Sequence, residues 1–209
     1  GDARDHVFVM RWGPDPSRFR RLEPDPALRE GRAHLCCYIG KMCEQDGIDY
    51  LLRSIEILTA ERGRDDILFA FLGEGPDQPR LIRQAEELGI AEHCRFLGYV
   101  PDAEVSSWLS TADLGIDPDP KSAWSDKSTM NKVLDYMFHG CPVVAFDLTE
   151  NRRSAGDAGL FVTPDSEPAL AEAIEELLAD SARRRRMGEA GVRRLESGLL
   201  WRDWAPNQL

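Results

Sequence analysis

The residues best suited to chemistry lie in one short stretch, SDKSTMNKVLDYMFHG, at residues 125–140. Only four of the 26 basic residues in the chain are lysines, and Lys121, Lys127 and Lys132 fall in one window of twelve residues. A lysine is a compact point charge, and the first turn of a helix presents free N–H groups and a positive dipole end. The stretch therefore predicts a site for an anionic group such as phosphate.

The same stretch also carries the signals of a helix start. Ser125, Asp126 or Ser128 is expected to cap the helix. Lys132 and Asp135 are three residues apart, so they would share one face of it. Charge and spacing alone leave two interpretations open, an anion site or a surface helix with a capping box and an ordinary ion pair.

A glycine-rich turn, GEGP at residues 73–76, offers a second place for a ligand. It lacks the third glycine of a dinucleotide fingerprint and follows the second predicted strand rather than the first. Gly73 and Gly75 fit a tight strand-to-helix turn and a turn that also lines a ligand crevice about equally well. The sequence contains neither a G-x-x-x-x-G-K-[ST] phosphate loop nor a G-x-S-x-G nucleophile motif. Their absence argues against a P-loop enzyme and the commonest type of α/β-hydrolase.

The cysteines and histidines do not predict a metal site. The five cysteines are odd in number and show no C-x-x-C spacing, which also argues against a disulfide framework and fits a reducing cytosol. The four histidines show no H-x-x-x-H pair. The nearest approach to an acidic metal pair is DPDP at residues 117–120, whose prolines are more typical of a loop that ends a strand. We expect no metal and no cofactor.

Length and charge limit the class of protein further. A chain of 209 residues predicts one large domain or one domain with irregular ends. The formal net charge of −11 argues against duplex nucleic acid and anionic membranes as default partners. The longest apolar run, residues 67–72, is far shorter than the ~20 residues that span a bilayer. No signal peptide is visible, and the first residues lack an initiator Met, so we expect the chain to start inside a longer protein.

Strand and helix patterns alternate along the chain, and the strands and helices that they predict must position these residues. Apolar runs of strand length are separated by segments with apolar residues at helical spacing, for example HLCCYIG followed by GIDYLLRSIEILTAERG. Strands without polar alternation, separated by helices, predict a doubly wound, Rossmann-like α/β domain with a parallel sheet. We place this domain at residues 33–197. Residues 1–32 are expected to be an interdomain linker lying over a neighbouring domain. Residues 198–209 are expected to be a tail that packs on this domain or on an N-terminal one.

Several of these motifs, in this order, resemble the C-terminal domain of family 4 retaining glycosyltransferases. DYMFHGCPVVAFD is similar to the E-[AY]-M-A-x-G-x-P-V-V block of that family. FLGEGP is similar to its G-x-G-P turn, and FLGYVPDAEVSSWLSTADLGIDP to its F-x-G-x-V…L-x-x-A-D…P segment. The resemblance covers nearly all of residues 33–197. It implies the GT-B fold, in which two Rossmann-like domains face each other.

The resemblance also implies roles for individual residues. In that family a Glu-x7-Glu pair holds the sugar and the ribose of the donor, and the matching positions here are Lys127 and Asp135. Asp126 is a possible substitute for the first glutamate. The family places an Arg and a Lys after the first strand to hold the donor diphosphate; Lys41 matches the first, whereas Asp46 stands where the second is expected. Lys132 matches a lysine of some members, and we expect it to supply the missing charge.

The backbone after the third strand would hold the base. The residues expected to bind the donor are therefore Lys41, Gly73, Gly75, Tyr99, Val100, Asp126, Lys127, Ser128, Thr129, Lys132 and Asp135.

The resemblance implies a cytoplasmic glycosyltransferase of polysaccharide or glycoconjugate biosynthesis, transferring a sugar from a nucleoside diphosphate sugar with retention. The acceptor site and the remaining catalytic contacts would belong to an N-terminal Rossmann-like domain, which could also contact a membrane peripherally. The residues 1–209 alone should bind donor without turning it over efficiently. Two alternatives stay open, a non-catalytic nucleotide-sugar-binding module, suggested by Lys127 and Asp46, and a GT-B nucleotide-sugar epimerase.

Overall fold

A parallel β-sheet organises residues 13–200, the part of the chain that this computed structural model describes. The sheet has six apolar strands in the described part; the four inner strands are buried and the two edge strands are partly buried, as expected for a sheet covered on both faces. In chain order the strands are β1 (His34–Ile39), β2 (Ile67–Leu72), β3 (Cys94–Gly98), β4 (Leu114–Asp117), β5 (Val143–Phe146) and β6 (Gly159–Val162). Their order across the sheet is β3-β2-β1-β4-β5-β6, and every neighbouring pair is parallel.

Helices follow the strands and cover both faces of the sheet. They are α1 (Ile48–Glu56), α2 (Gln78–Glu87), α3 (Asp102–Thr111), α4 (Asn131–Phe138), α5 (Thr149–Ala155), α6 (Glu167–Ala179) and α7 (Ser181–Glu196). Apolar residues of α1, α2 and α6 pack into the core on one face, whereas those of α3 and α4 pack into the core on the other. The predicted doubly wound α/β fold is confirmed.

The strand order reverses between β1 and β4. The chain runs outward from β1 through β2 to β3, and then returns to place β4 on the other side of β1. The loops that leave these two strands therefore separate, and they leave a crevice at the carboxyl edge of the sheet, which is where such folds bind ligands. The β1–α1 loop (residues 40–47) and the β4–α4 loop (residues 118–130) border this crevice.

The start of α4 differs from the prediction. The helix begins at Asn131, its N-cap is Met130, and no side chain caps it. The three expected capping side chains have other hydrogen-bond partners. Ser125 Oγ donates to Pro120 O at 2.6 Å, and Ser128 Oγ donates to Trp124 O at 2.9 Å.

The Asp126 carboxylate, the third expected cap, accepts from the backbone N–H of Thr149 at 2.9 Å. The polar side chains of this stretch therefore fix the β4–α4 loop instead of the helix end.

The described part of the N-terminal segment packs on this domain, and the role of residues 1–32 as an interdomain linker stays a prediction. The rings of Phe19 and Phe138 meet edge-on with their centroids 6.5 Å apart. Arg18 Nε lies 2.9 Å from Asp102 Oδ2 at the start of α3. The segment therefore lies along α3 and α4.

The first and last residues of the described region lie next to each other. A Cβ on Gly13 would lie only 1.7 Å from Leu199 O. Residues 1–12 and 201–209 lie outside the described part, so most of the predicted tail does as well. Within residues 13–200, none of the helices is both long enough and apolar enough to cross a bilayer.

Candidate functional site at the carboxyl edge of the sheet

Lys41 stands directly after β1, on the central loop of this edge. Its backbone carbonyl accepts a hydrogen bond from the hydroxyl of Tyr38 at 2.7 Å, and Tyr38 is almost completely buried. The side chain of Lys41 is exposed, and no carboxylate of the described residues lies within ion-pairing distance of its ammonium. The backbone is thus anchored while the charge faces solvent, an arrangement suited to binding an anion.

Gly73 and Gly75 bring the turn after β2 against the loop that carries Lys41. Gly73 has a φ of +120°, and a Cβ on it would lie 2.0 Å from Gly40 O. A Cβ on Gly75 would lie 2.3 Å from Met42 O. Only glycine allows this approach. The two residues therefore form a tight turn that supports the β1–α1 loop.

Lys132 lies in a buried cluster of acidic residues. Its Nζ is 2.5 Å from Asp119 Oδ1, 3.4 Å from Asp117 Oδ1 and 4.0 Å from Asp46 Oδ1. It also lies 5.4 Å from the centre of the Tyr38 ring, and only 8% of its side chain is exposed. Lys132 thus joins α4 to both the β1–α1 and the β4–α4 loops.

The protonation of this cluster follows from its burial. Burial, together with the neighbouring Asp117, raises the pKa of Asp119 to about 8. Burial alone would lower the pKa of Lys132, but the carboxylates of Asp117 and Asp119 raise it above its ordinary value. Three carboxyl groups therefore surround one ammonium, and the charge of Lys132 opposes the upward shift of the Asp119 pKa.

Asp117 is held from a second side. Asn151 Nδ2 donates to Asp117 Oδ2 at 2.7 Å, and both residues are fully buried. Asp117 and Asp119 were not among the predicted site residues. Their spacing carried a usable signal, because residues two apart at a strand end point to the same side. Two buried carboxylates on one side require a cation nearby.

Asp135 and Lys132 do not pair, contrary to the shared helix face that their spacing suggested. Asp135 lines a separate cavity of about 420 Å³ together with Asn131, Arg18 and Phe19. Burial raises the pKa of its carboxyl group to about 7, although the charge of Arg18 opposes the shift. The half-buried Asp135 is therefore close to its titration midpoint at neutral pH.

The remaining predicted residues occupy the β4–α4 loop. Lys127 is exposed. Asp126 accepts hydrogen bonds from both the N–H and the Oγ1 of Thr149, at 2.9 and 3.0 Å. Ser128 bonds within its own loop, and Thr129 Oγ1 donates to Glu150 Oε2 at 3.3 Å. These side chains hold the loop against α5.

Two further predicted residues follow β3. Tyr99 is 74% exposed, and Val100 packs partly on the core beside α3. The predicted residues thus gather along one edge of the sheet. Their roles in donor binding stay predictions.

A doubly wound parallel sheet, with charged side chains on the loops at its strand-order reversal, is the architecture of Rossmann-like nucleotide-binding domains. The chain belongs to the family described as Glycosyl transferases group 1, which matches residues 33–180. This membership confirms the predicted family resemblance, and the curated relatives are named as glycosyltransferases.

One relative is the GDP-mannose-dependent alpha-(1-6)-phosphatidylinositol monomannoside mannosyltransferase of Mycolicibacterium smegmatis. It is 29% identical over 200 residues, which are 94% of this chain and 51% of the relative. The chain thus spans about half the length of this relative.

Two solved structures share the fold. The C-terminal domain of LpcC from Francisella tularensis, a glycosyl transferase group 1 family protein, has a TM-score of 0.71 at 18% identity, with 90% of this chain and 99% of that chain covered. HepE from Anabaena, solved with UDP and glucose, has a TM-score of 0.75 at 15% identity, with 94% of this chain and 54% of that chain covered. The fold is that of a GT-B glycosyltransferase domain.

Proposed function

We propose that this chain is the donor-binding part of a glycosyltransferase that moves a sugar from a nucleoside diphosphate sugar to an acceptor, with retention. The observation that carries the proposal is the position of Lys41. Its ammonium, which no carboxylate of residues 13–200 pairs with, follows the central strand β1 at the strand-order reversal, where doubly wound folds bind phosphate-containing ligands. HepE, which has the same fold, was solved with UDP and glucose.

In this proposal each part of the donor has its own contacts. Lys41 binds the diphosphate, supported by the turn at Gly73 and Gly75. The Asp135 carboxylate accepts hydrogen bonds from the ribose hydroxyls, and the backbone at Tyr99 and Val100 holds the base. The side chains at residues 126–129 border the sugar end of the site.

Lys132 has a less direct part in the proposal. Its ammonium is within 4.0 Å of Asp46, whose other carboxylate oxygen accepts from the N–H of Cys43 at 3.1 Å. Lys132 therefore stabilises the β1–α1 loop and, through it, the position of Lys41. The direct diphosphate contact expected from sequence requires Lys132 to leave Asp119.

The proposed chemistry is electrostatic. Cleavage of the sugar bond develops negative charge on the diphosphate, and a positioned lysine stabilises that charge. We propose no cofactor and no metal ion. The acceptor site and the remaining catalytic contacts are assigned to an N-terminal Rossmann-like domain.

Calorimetric titration with UDP, GDP and ADP, and with the matching nucleosides, tests the proposal. One nucleoside diphosphate should bind, and Lys41→Ala should weaken it by about 1–3 kcal/mol, as expected for a charge-assisted hydrogen bond, while nucleoside binding changes far less. Arg185→Ala, which removes an exposed cation on α7, is the matched control and should bind normally. Failure of all three diphosphates to bind would contradict the proposal.

A non-catalytic nucleotide-sugar-binding module is the second candidate. It is favoured by Asp46, which stands where the family resemblance implies a lysine and is instead paired with Lys132. Product analysis with the longer protein separates the candidates, because an enzyme yields a glycosylated acceptor, an epimerase yields an altered nucleotide sugar, and a binding module yields neither.

A further inference from the structure

A groove between α1 and α2 brings three arginines together on the solvent side of these helices. It has a volume of about 510 Å³, within the range of about 300–1000 Å³ that is usual for small-molecule sites. Its lining residues are Asp49, Arg53, Arg80, Arg83, Gln84, Glu87 and Leu88. None of them is among the residues assigned to the donor, so the groove is available to a different ligand.

Arg80 is fixed in this groove by its neighbours. Its two terminal nitrogens donate to the two carboxylate oxygens of Asp49, at 2.6 and 2.9 Å. One of them also donates to Gln84 Oε1 at 3.2 Å, and the other to Asp77 Oδ2 at 3.4 Å. The hydrogen bonds between Arg80 and Asp49 raise the pKa of the arginine and lower the pKa of the carboxyl group. This charged pair joins α1 to α2 and gives the groove a fixed wall.

Arg53 and Arg83 line the same groove without such partners. Both side chains are exposed, and no carboxylate in the described part of the chain lies within ion-pairing distance of either guanidinium. Arg83 stands four residues before Glu87, a spacing at which opposite charges on a helix commonly pair, but these two side chains do not reach each other. Two guanidinium groups are therefore free to bind an anion from solution.

The charge of the groove differs in sign from that of the whole protein. Three arginines line it against two carboxylates, and the carboxylate of Asp49 is already occupied by Arg80, whereas the chain has a formal net charge of −11. A guanidinium presents its N–H donors in a planar fork that matches the oxygens of a phosphate group. A phosphate monoester carries about −1.5 to −2 charges at pH 7, so one such group can compensate both Arg53 and Arg83.

We propose that this groove binds a phosphate group through Arg53 and Arg83, beside the wall formed by Arg80 and Asp49. The group has two chemical sources, inorganic phosphate or the phosphate monoester of a small organic molecule. Lys41 does not line the groove, and the inference does not rest on the proposed donor binding. The site is nevertheless close to the donor edge, because Asp49 and Arg53 also border the larger cavity that Lys41 lines.

Calorimetric titration of the 209-residue chain with inorganic phosphate, glycerol 3-phosphate and glycerol, at constant ionic strength, tests the inference. At least one of the two phosphates should bind, and glycerol should not. The double variant Arg53→Ala with Arg83→Ala should weaken that binding by about tenfold or more, because it removes two charge-assisted hydrogen-bond donors. Equal affinity for the two phosphates identifies the phosphate group alone as the ligand, and tighter binding of glycerol 3-phosphate identifies a monoester.

The conservative double variant Arg53→Lys with Arg83→Lys keeps both charges but loses the planar forks, so it should recover only part of the affinity. The matched control is Arg185→Ala with Arg186→Ala, which removes two exposed arginines from α7, outside the groove. It should bind phosphate as wild type does. These substitutions replace exposed side chains, and all variants should therefore keep the wild-type unfolding midpoint.

Lys41→Ala separates this groove from the proposed donor site. It should weaken the nucleoside diphosphate and leave the affinity for phosphate or glycerol 3-phosphate unchanged. The inference is overturned if wild type binds neither phosphate, if the Arg53 and Arg83 double variant binds as tightly as wild type, or if the α7 control weakens binding equally. It is also overturned if Lys41→Ala abolishes phosphate binding. If no nucleoside diphosphate binds but phosphate binds through Arg53 and Arg83, the proposed function fails and the groove assignment stands.

Discussion

The ammonium of Lys132 on α4 and the carboxyl group of Asp119 on the β4–α4 loop form a buried pair, 2.5 Å apart, although the two residues are thirteen apart in sequence. The same ammonium is 3.4 Å from Asp117 and 4.0 Å from Asp46. One lysine therefore offsets the charge of two loops at the carboxyl edge.

Replacement of Lys132 by Met should destabilise the domain strongly. Removing one partner of a buried ion pair leaves uncompensated charge and costs about 3–5 kcal/mol. The double variant Lys132→Met with Asp119→Asn removes one carboxylate as well, so it should recover part of the lost free energy of unfolding. Urea denaturation monitored by circular dichroism measures both values.

The same double variant separates the two roles of Lys132. If Lys132 acts by fixing the β1–α1 loop, the double variant should regain much of the affinity for the nucleoside diphosphate that Lys132→Met loses. If Lys132 contacts the diphosphate directly, affinity should stay low in both variants. Calorimetric titration at a temperature where both remain folded distinguishes these results.

The affinity for nucleosides should depend on pH through Asp135. Burial raises the pKa of this carboxyl group to about 7, and the ionised form accepts two ribose hydrogen bonds while the protonated form accepts fewer. Affinity should therefore fall as pH decreases below 7, by at most about tenfold per pH unit. In Asp135→Asn the affinity should be lower at pH 8 and nearly independent of pH. An unchanged pH profile in this variant would remove Asp135 from the ribose site.

Gly73→Ala should be much more destabilising than Gly63→Ala. Both glycines have positive φ, of +120° and +66°, and strained backbone costs on the order of 1–3 kcal/mol per residue. A Cβ on Gly73 would also lie 2.0 Å from Gly40 O, whereas a Cβ on Gly63 meets nothing within 4 Å. Unfolding midpoints of the two variants should thus differ, and equal midpoints would show that the turn after β2 does not press on the β1–α1 loop.

Nucleoside diphosphate binding should not require a metal ion. Among residues 13–200, the structure contains no group of three or more His, Cys, Asp or Glu side chains placed to hold one. Titration with and without EDTA should therefore give the same affinity. A loss of binding in EDTA that added Mg²⁺ restores would contradict this expectation.

The sheet and most helices were predictable from sequence because their signals are local. Uniformly apolar runs such as residues 67–72 specify buried parallel strands. A glycine such as Gly63 signals the end of a helix, because it readily adopts the left-handed conformation found there. Helix α5 carries no such local signal, because it buries Asn151 and Ser154 and so lacks an apolar stripe.

The site was less predictable, since its contacts join residues distant in sequence. The direction of Lys132 depends on Asp117 and Asp119, which become its neighbours only when α4 packs back on β4. Spacing along α4 suggested Asp135 as the partner instead. The type and position of the charged residues could be predicted, but their pairing could not.

The contact between Gly13 and Leu199 places the two ends of the described region side by side. The backbone could be closed there by a short peptide and reopened at an exposed turn, such as the one at Gly63. We expect such a circular permutant to keep the strand order and the whole carboxyl edge.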